Sequence, residues 1–181
     1  MKISLLILVS FFTLTSCSSS YKILKPEKET NFRLTDYTTF GFYEIEAAGD
    51  TVSETFSQNL AVIKEGIARN LEQKGLSQAQ DPALKINIAL SVKEKIQTRQ
   101  TNFQNDGRPL YMGQRRYSWK SKEVEVGKYK EGTMLIDLVD ASTNKLVWKG
   151  GGEGILPEKE TEFIKKINEV IDQIFSSVSN P

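Results

Sequence analysis

Residues 84–93 read Leu-Lys-Ile-Asn-Ile-Ala-Leu-Ser-Val-Lys, and this stretch decides the fold because Leu, Ile or Val occupies every even-numbered position. A period of two places successive side chains on opposite faces of a β-strand, so one face is expected to be buried and the other to meet water. Further strands are expected at 115–128, at 133–139 and, after a turn at 140–144, at 145–149. Together these stretches predict an antiparallel β-meander.

Two stretches on either side of the meander have the apolar spacing of amphipathic helices. In the first, apolar residues recur at intervals of three or four from Phe56 to Leu71. A capping box at 51–54 precedes it, and Gly75 follows it as a suitable left-handed C-cap. The second helix is expected over 163–178. Because each helix must bury its apolar face, the sequence predicts an α+β fold, a two-layer sandwich of an antiparallel sheet with both helices packed on one face.

The N-terminus has the order of a secretory signal peptide. Lys2 is followed by an apolar run from Ile3 to Leu14 and then by small residues before Cys17. That run is too short to cross a bilayer, which needs about 20 helical residues. Leu14-Thr-Ser-Cys17 resembles the lipobox of bacterial lipoproteins. The resemblance implies that residues 1–16 are removed and that Cys17 carries a covalent lipid.

The remainder of the chain has room for one domain, since domains typically hold about 100 to 200 residues. We assign 17–30 to a lipidated tether with a first short strand at 21–24, and 31–181 to a single α+β lipoprotein domain. Ser18 follows Cys17, which is similar to the default for outer-membrane transfer in lipoproteins of two-membrane bacteria. We therefore expect a lipid anchor in the outer membrane and a domain that faces the periplasm.

The composition argues against most standard catalysis. The chain has no His, which excludes Ser-His-Asp and Cys-His triads and imidazole zinc sites. Cys17 is the only Cys, so no disulfide can form. The 24 basic and 23 acidic residues nearly balance, so no overall field attracts nucleic acid. We expect no enzyme activity, no metal, no nucleic-acid partner, and no cofactor besides the covalent lipid.

An Arg-rich segment gives the sharpest indication of a binding site. Four of the six Arg residues lie between 99 and 116, close to several aromatic residues. Guanidinium groups bind phosphate and carboxylate in bidentate fashion and stack on aromatic rings, so the segment could bind an anionic lipid, a glycan or an acidic protein. A solvated loop whose aromatic residues cover the edge of the core explains the same composition. The candidate residues are Arg99, Arg108, Tyr111, Arg115, Arg116 and Trp119.

Two weaker candidates lie near the last hairpin. A pair of carboxylates among Asp137, Asp140, Glu153 and Glu158 could in principle hydrolyse a glycoside. Asp137 is more typical of a strand residue that pairs with a cross-strand Lys, and Asp140 is typical of a turn. The glycines at 150–154 lack the pattern of a phosphate-binding loop and favour a bulge or a close backbone approach.

Several short motifs together resemble a known bacterial family. They are Asn31-Phe32, Tyr37-Thr-Thr-Phe40, Lys74-Gly-Leu76, and the hairpin from Gly132-Thr-Met-Leu to Val147-Trp-Lys-Gly150. The pattern is similar to the lipoprotein family called domain of unknown function 4136, over about residues 21–178. The resemblance implies a lipid-anchored periplasmic α+β domain with no established activity, so no site residue is carried over. The segment 99–116 departs from the family pattern in its length and Arg content.

From these observations we expect a non-enzymatic binding or accessory module of the cell envelope, held at the membrane by its lipid and serving an envelope protein complex. The alternative from another class is a periplasmic carrier or binder of a lipid or an anionic envelope ligand, in which helix and sheet separate to hold an acyl chain.

Overall fold

The computed structural model describes residues 21–44, 54–101 and 121–178, with only the backbone at 54 and 55. The described part contains six strands, two α-helices and a short 3-10 turn. In chain order, these are β1 (Tyr21–Lys28), the 3-10 turn (Leu34–Asp36), β2 (Thr39–Phe42), α1 (Glu54–Gln73), β3 (Ser77–Gln78), β4 (Leu84–Gln100), β5 (Glu123–Asp140), β6 (Lys145–Ile155) and α2 (Glu160–Ser176).

The strands form one mixed sheet in the order β1-β6-β5-β4-β2-β3. The antiparallel meander of β4, β5 and β6 is present, and β1 pairs antiparallel with β6. However, β2 runs parallel to both β3 and β4, so the expectation of a purely antiparallel sheet is wrong. The reason lies in α1, which follows β2 in the chain. A helical crossover returns the chain so that the next strand runs in the same direction as the first.

Four strands are longer than the sequence patterns indicated, and one of them is β4, which continues past 93 to Gln100. β1 continues past Leu24, the expected end of the first short strand, because a register shift between Leu24 and Glu27 accommodates Pro26 in this edge strand. β5 joins two stretches that were expected to be separate strands, and residues 115–120 lie outside the described residues. β6 continues through the glycines up to Ile155.

The core combines alternate sheet residues with apolar residues of both helices. Leu84, Ile86 and Ile88 of β4 are buried, as the period of two predicts. They belong to one hydrophobic cluster with helix residues such as Ile67 and Phe175. Each fully buried side chain of this kind contributes about 1.5 to 3 kcal/mol to burial free energy. The α+β class is therefore confirmed.

A polar contact fixes α1 against α2. Arg69 donates hydrogen bonds to Asn168 Oδ1 (3.1 Å) and to Asp172 Oδ1 (2.9 Å), and Asn70 Nδ2 donates to the same Asp172 oxygen at 2.8 Å. Burial alone would raise the pKa of Asp172, but these hydrogen bonds outweigh burial and lower it. Gly66 allows the close approach, since a Cβ there would lie 2.9 Å from Ile171 Cδ1.

The turn between β5 and β6 is organised by the carboxylate of Asp140. Its Oδ1 accepts hydrogen bonds from Ser142 Oγ (2.7 Å), Thr143 N (2.8 Å) and Thr143 Oγ1 (2.9 Å). Its Oδ2 accepts a hydrogen bond from the Tyr37 hydroxyl at 3.0 Å. Burial, and then this bond, raises the pKa of Tyr37 to about 12. The hydrogen bond from Ser142, followed by those from Thr143, holds the pKa of Asp140 well below its usual range.

We expect Asp140→Ala to lower the free energy of unfolding by about 1 kcal/mol at pH 7, since the variant loses these hydrogen bonds at a solvent-accessible site. A carboxyl with a depressed folded-state pKa stabilises the protein above its unfolded pKa of about 3.9, and this stabilisation is lost as the pH falls toward the folded value. The difference between wild type and variant should therefore shrink below about pH 4. Urea unfolding at several pH values, with the exposed Asp81→Ala as control, measures it. An equal difference at pH 7 and pH 2 would contradict this account.

Candidate functional site

An apolar cleft lies between the N-terminal parts of the two helices and the ends of the central strands. Its volume is about 140 Å³. A buried apolar cavity of similar size in another protein holds a benzene molecule, so this cleft has room for one ring or a short stretch of hydrocarbon. The principal apolar side chains that line it are Phe56, Ile63, Leu90, Met134, Phe163 and Ile167.

Two glycines allow close packing at the floor of the cleft, Gly132 against Leu156 in the segment after β6 and Gly152 against Val170 of α2. A Cβ at Gly132 would lie 2.7 Å from Leu156 Cδ2, and a Cβ at Gly152 would lie 2.9 Å from Val170 Cγ1. Both distances are shorter than ordinary van der Waals contact, so a side chain at either position would displace its neighbour. Backbone therefore forms part of the cleft floor.

The cleft continues into a wider open groove of about 1010 Å³, and the two share residues such as Phe56, Val92 and Phe163. Charged side chains line the groove, among them Lys128, which donates a hydrogen bond to Glu94 at 2.8 Å. This bond lowers the pKa of Glu94 and raises that of Lys128. The site is thus apolar inside and charged outside. Such a site suits an amphiphilic ligand or an apolar side chain that protrudes from a polar surface.

A two-stranded ribbon projects beside the groove. We define the ribbon as two paired segments. Residues 93–101 are the last part of β4 with the residue that follows it, and residues 121–131 are the first part of β5 with the two residues that precede it. β6 ends at Ile155, opposite Glu131, whereas the pairing of β4 with β5 continues to Gln100 and Glu123. At about 3.3 Å per residue, the ribbon extends about 26 Å beyond the rest of the sheet.

The ribbon and its base expose large apolar side chains. Ile96 is 52% exposed and Val126 is 47% exposed, while Val92 and Ile155 are about half exposed at the mouth of the cleft. Isolated two-stranded ribbons are only marginally stable in water. Contiguous exposed apolar residues are typical of surfaces that contact a partner or a membrane.

Of the residues predicted from the Arg-rich segment, the described part includes only Arg99, which pairs with Val124 near the end of the ribbon. Arg108, Tyr111, Arg115, Arg116 and Trp119 lie outside the described residues, and so does Cys17. Their anionic-ligand and lipidation roles therefore stay predictions.

Three of the four acidic candidates are engaged with separate partners, and the fourth, Glu158, lines the charged groove. Asp137 Oδ2 accepts a hydrogen bond from Asn87 at 3.3 Å, and its Oδ1 lies 3.6 Å from the cross-strand Lys149. Asp140 organises the turn, and Glu153 pairs with Lys22 at 3.1 Å. Among the described residues, no group of three or more acidic side chains is placed to hold a metal ion.

Reasoning from the sequence offered a space between helix and sheet as an alternative but did not locate the cleft. Its one available signal was the run of glycines at 150–154, which favoured a close backbone approach. That approach is present, because a Cβ at Gly151 would lie 2.5 Å from the backbone oxygen of Met134 in the neighbouring strand. Glycines indicate where backbones approach closely, but only the packed structure shows where the helix layer leaves a gap.

No helix within the described ranges is both long enough and apolar enough to span a membrane. A family model with the description Domain of unknown function (DUF4136) matches residues 25–177. No curated protein matches the chain.

Two kinds of solved structure are similar to the chain. A PDZ domain protein from Parabacteroides distasonis has 15% identity and a TM-score of 0.50, and the alignment covers 86% of this chain and 35% of that one. This chain thus spans about a third of that protein, and the likeness concerns the fold alone. Two structures of the PelC dodecamer from Paraburkholderia phytofirmans have 9% and 11% identity and TM-scores of 0.45 and 0.47. They cover 87% and 89% of this chain and 96% and 99% of PelC.

Proposed function

The chain belongs to the family described as Domain of unknown function (DUF4136), and we propose that it is a lipid-anchored lipoprotein of the bacterial cell envelope. In this proposal its domain is a non-enzymatic binding or accessory module in the periplasm. The cationic, apolar and small segments that end at Cys17 support the anchor, and Ser18 supports the outer membrane as its location. A diacylglycerol with a further amide-linked chain anchors a protein far more durably than one acyl chain does.

The apolar cleft with its charged groove carries the proposal of a binding role. Val92 and Ile155 keep about half of their surface in water at the cleft mouth. In stable interfaces, an apolar anchor that enters a pocket surrounded by polar groups provides much of the binding energy. The cleft has this form, and its volume fits one large apolar side chain.

The absence of His and the separate engagement of Asp137, Asp140 and Glu153 support a non-enzymatic role. Turnover of a glycan, an ester or a peptide by the purified protein would overturn this part of the proposal if it were lost in Asp137→Asn or Glu153→Gln.

Photo-crosslinking in intact cells tests the binding role. A photoreactive amino acid in place of Ile155, at the cleft mouth, should give a discrete protein adduct. The same amino acid in place of Lys145, which is exposed at the other end of β6, should give none. Equal crosslinking from both positions, or none from Ile155, would contradict a binding site at the cleft.

The same cleft favours a second candidate function, the binding of an apolar group of an envelope lipid. A volume of about 140 Å³ accommodates a ring or a few methylene groups, but not a complete long acyl chain. The geometry therefore suits a protein that holds part of a lipid rather than a carrier that encloses it. In the crosslinking experiment, a lipid adduct at Ile155 would favour this alternative over a protein partner.

We expect the fluorescent probe N-phenyl-1-naphthylamine to place its phenyl ring in the cleft and its naphthyl group in the adjoining groove. Ile167→Trp should weaken its binding by about tenfold, because the indole fills the space that the phenyl ring needs. Asn59→Phe fills the cleft from α1 and should act in the same direction. Leu146→Trp, at an exposed position remote from the cleft, is the control. Fluorescence titration measures the affinity, and equal affinities in all four proteins would exclude the cleft as the probe site.

A further inference from the structure

We infer that the ribbon contacts the surface of the membrane to which the protein is anchored, and that its partner there is anionic lipid. This inference rests on the proposed lipid anchor at Cys17. It adds an orientation of the domain and a second site of membrane contact, neither of which the anchor alone implies. Three observations carry it: the length of the tether, the position of the ribbon in the sheet, and the side chains that the ribbon exposes.

Only residues 17–20 of the expected tether precede β1, and they are called the tether from here on; they join the sheet at its ribbon end. Cys17 precedes Tyr21 by four residues, which span at most about 14 Å. Tyr21 is the first residue of β1 and pairs with Gly154 of β6. Gly154 pairs with Gly132 of β5, which pairs with Val92 of β4. Tyr21 therefore lies level with Val92, the residue just before the ribbon. The lipid on Cys17 must therefore lie within about 14 Å of Tyr21, which is at the same level of the sheet as the base of the ribbon.

The lengths of the two arms restrict the orientation of the domain. If the ribbon pointed away from the membrane, β1 would extend about 23 Å from Tyr21 toward the bilayer, because Lys28 follows Tyr21 by seven residues at about 3.3 Å each. A tether of about 14 Å that starts at Tyr21 is shorter than β1 and could not reach the bilayer beyond Lys28, so this orientation is excluded. The remaining orientations point the ribbon at the bilayer or lay it along the surface. Either orientation brings the ribbon, about 26 Å long, close to the bilayer, and its side chains then decide whether it enters the lipid.

The charges of the ribbon suit an anionic surface. It carries six basic and four acidic side chains, which leaves two net positive charges. Lys95 pairs with Glu131, and Lys128 pairs with Glu94. Within the described part of the chain, Lys93, Lys122 and Lys130 form no ion pair, so their ammonium groups are available to lipid phosphates. Each Lys close to an anionic bilayer strengthens binding by about fivefold.

Apolar side chains on the ribbon complete the surface. Ile96 and Val126 lie in its middle part and are each about half exposed. Exposed apolar residues between Lys side chains are typical of peripheral surfaces that enter the headgroup region. Long Lys side chains can at the same time extend their ammonium groups to the phosphates.

A label on the ribbon tests the inference. In the lipidated protein Cys17 is blocked, so Ile96→Cys introduces a single reactive thiol for an environment-sensitive fluorophore, and Lys145→Cys does the same at the opposite end of the sheet. The proteins are reconstituted into phosphatidylcholine vesicles with or without phosphatidylglycerol. With phosphatidylglycerol, we expect the emission of the label at 96 to shift to the blue and to be quenched by nitroxide lipids. The label at 145 should do neither.

Charge reversal provides the second arm. Lys93→Glu, Lys122→Glu and Lys130→Glu combined should abolish the blue shift of the label at 96. Reversal of Lys25, Lys28 and Lys145 changes the net charge equally, on exposed residues away from the ribbon, and should preserve the shift.

The outcomes separate the inference from the anchor on which it rests. Vesicle-bound protein whose label at 96 stays in water would overturn the ribbon contact and leave the anchor intact, as would a blue shift that appears only with a partner protein. Failure to sediment with vesicles of either composition would instead count against the anchor.

Discussion

Cys17→Ala should abolish incorporation of alkyne palmitate and cause a precursor that retains residues 1–16 to accumulate. The physical reason is that lipid attachment requires the thiol, and no other Cys in the chain can replace it. Each buried methylene of an acyl chain contributes about 0.8 kcal/mol to membrane binding, so several chains together hold the protein almost irreversibly. The expected loss of label is therefore complete rather than partial.

Ser18→Ala is the matched control for this experiment, because it changes the adjacent residue and keeps the thiol. It should be labelled like the wild type, although its sorting between membranes can change. A Cys17→Ala protein that still takes up the label, or that is processed before residue 17, would show that the N-terminus is not a lipoprotein signal.

The second large effect is expected in the core. Trp148→Ala should lower the free energy of unfolding by about 3 to 5 kcal/mol, because removal of a large buried aromatic side chain loses its transfer free energy and leaves a cavity. The Trp148 ring is 1% exposed and stacks on Phe175 with ring centroids 5.9 Å apart. It also covers Gly150, so the space it leaves adjoins backbone that can move little to fill it.

Urea unfolding followed by circular dichroism measures this effect. Leu146→Ala, two residues earlier in the same strand and 43% exposed, should cost less than about 1 kcal/mol. Domains of this size have a total stability of about 5 to 15 kcal/mol, so Trp148→Ala should also lower the Tm by about 10 °C. Equal losses in the two variants would show that Trp148 is not a central core residue.

The elements with a strong local period were predicted well. The alternation at 84–93 indicated β4, the spacing of apolar residues indicated both helices, and Gly75 has the predicted left-handed conformation with φ of +92°. Each of these signals depends on residues within a few positions of one another. Asn144, the last turn residue, also has a positive φ of 54°, which Asn tolerates better than most residues do.

Strand direction and strand length were predicted less well, because they depend on the neighbouring strands in the sheet. No pattern in Thr39–Phe42 shows that this strand lies parallel to β4, since strand direction depends on the path of the intervening helix. The continuity of β5 likewise depends on cross-strand pairs such as Lys130 with Glu94, which are distant in the sequence. Pairing between such distant residues depends on how the intervening chain closes the loop, and a local sequence pattern does not indicate this.

The sequence by itself indicated both helices, most of the strands, the α+β class and the family, and it predicts the lipid anchor, because side-chain period, capping residues and the lipobox are local properties of the chain. Only the tertiary structure decided the sheet order, the cleft and the direction of the ribbon. These features arise where surfaces from distant segments meet, and the volume left between packed layers depends on all of those segments at once. The cleft and the ribbon lie at the end of the sheet where β1 begins at Tyr21. They share this end because the register of the paired strands sets Tyr21 level with the base of the ribbon.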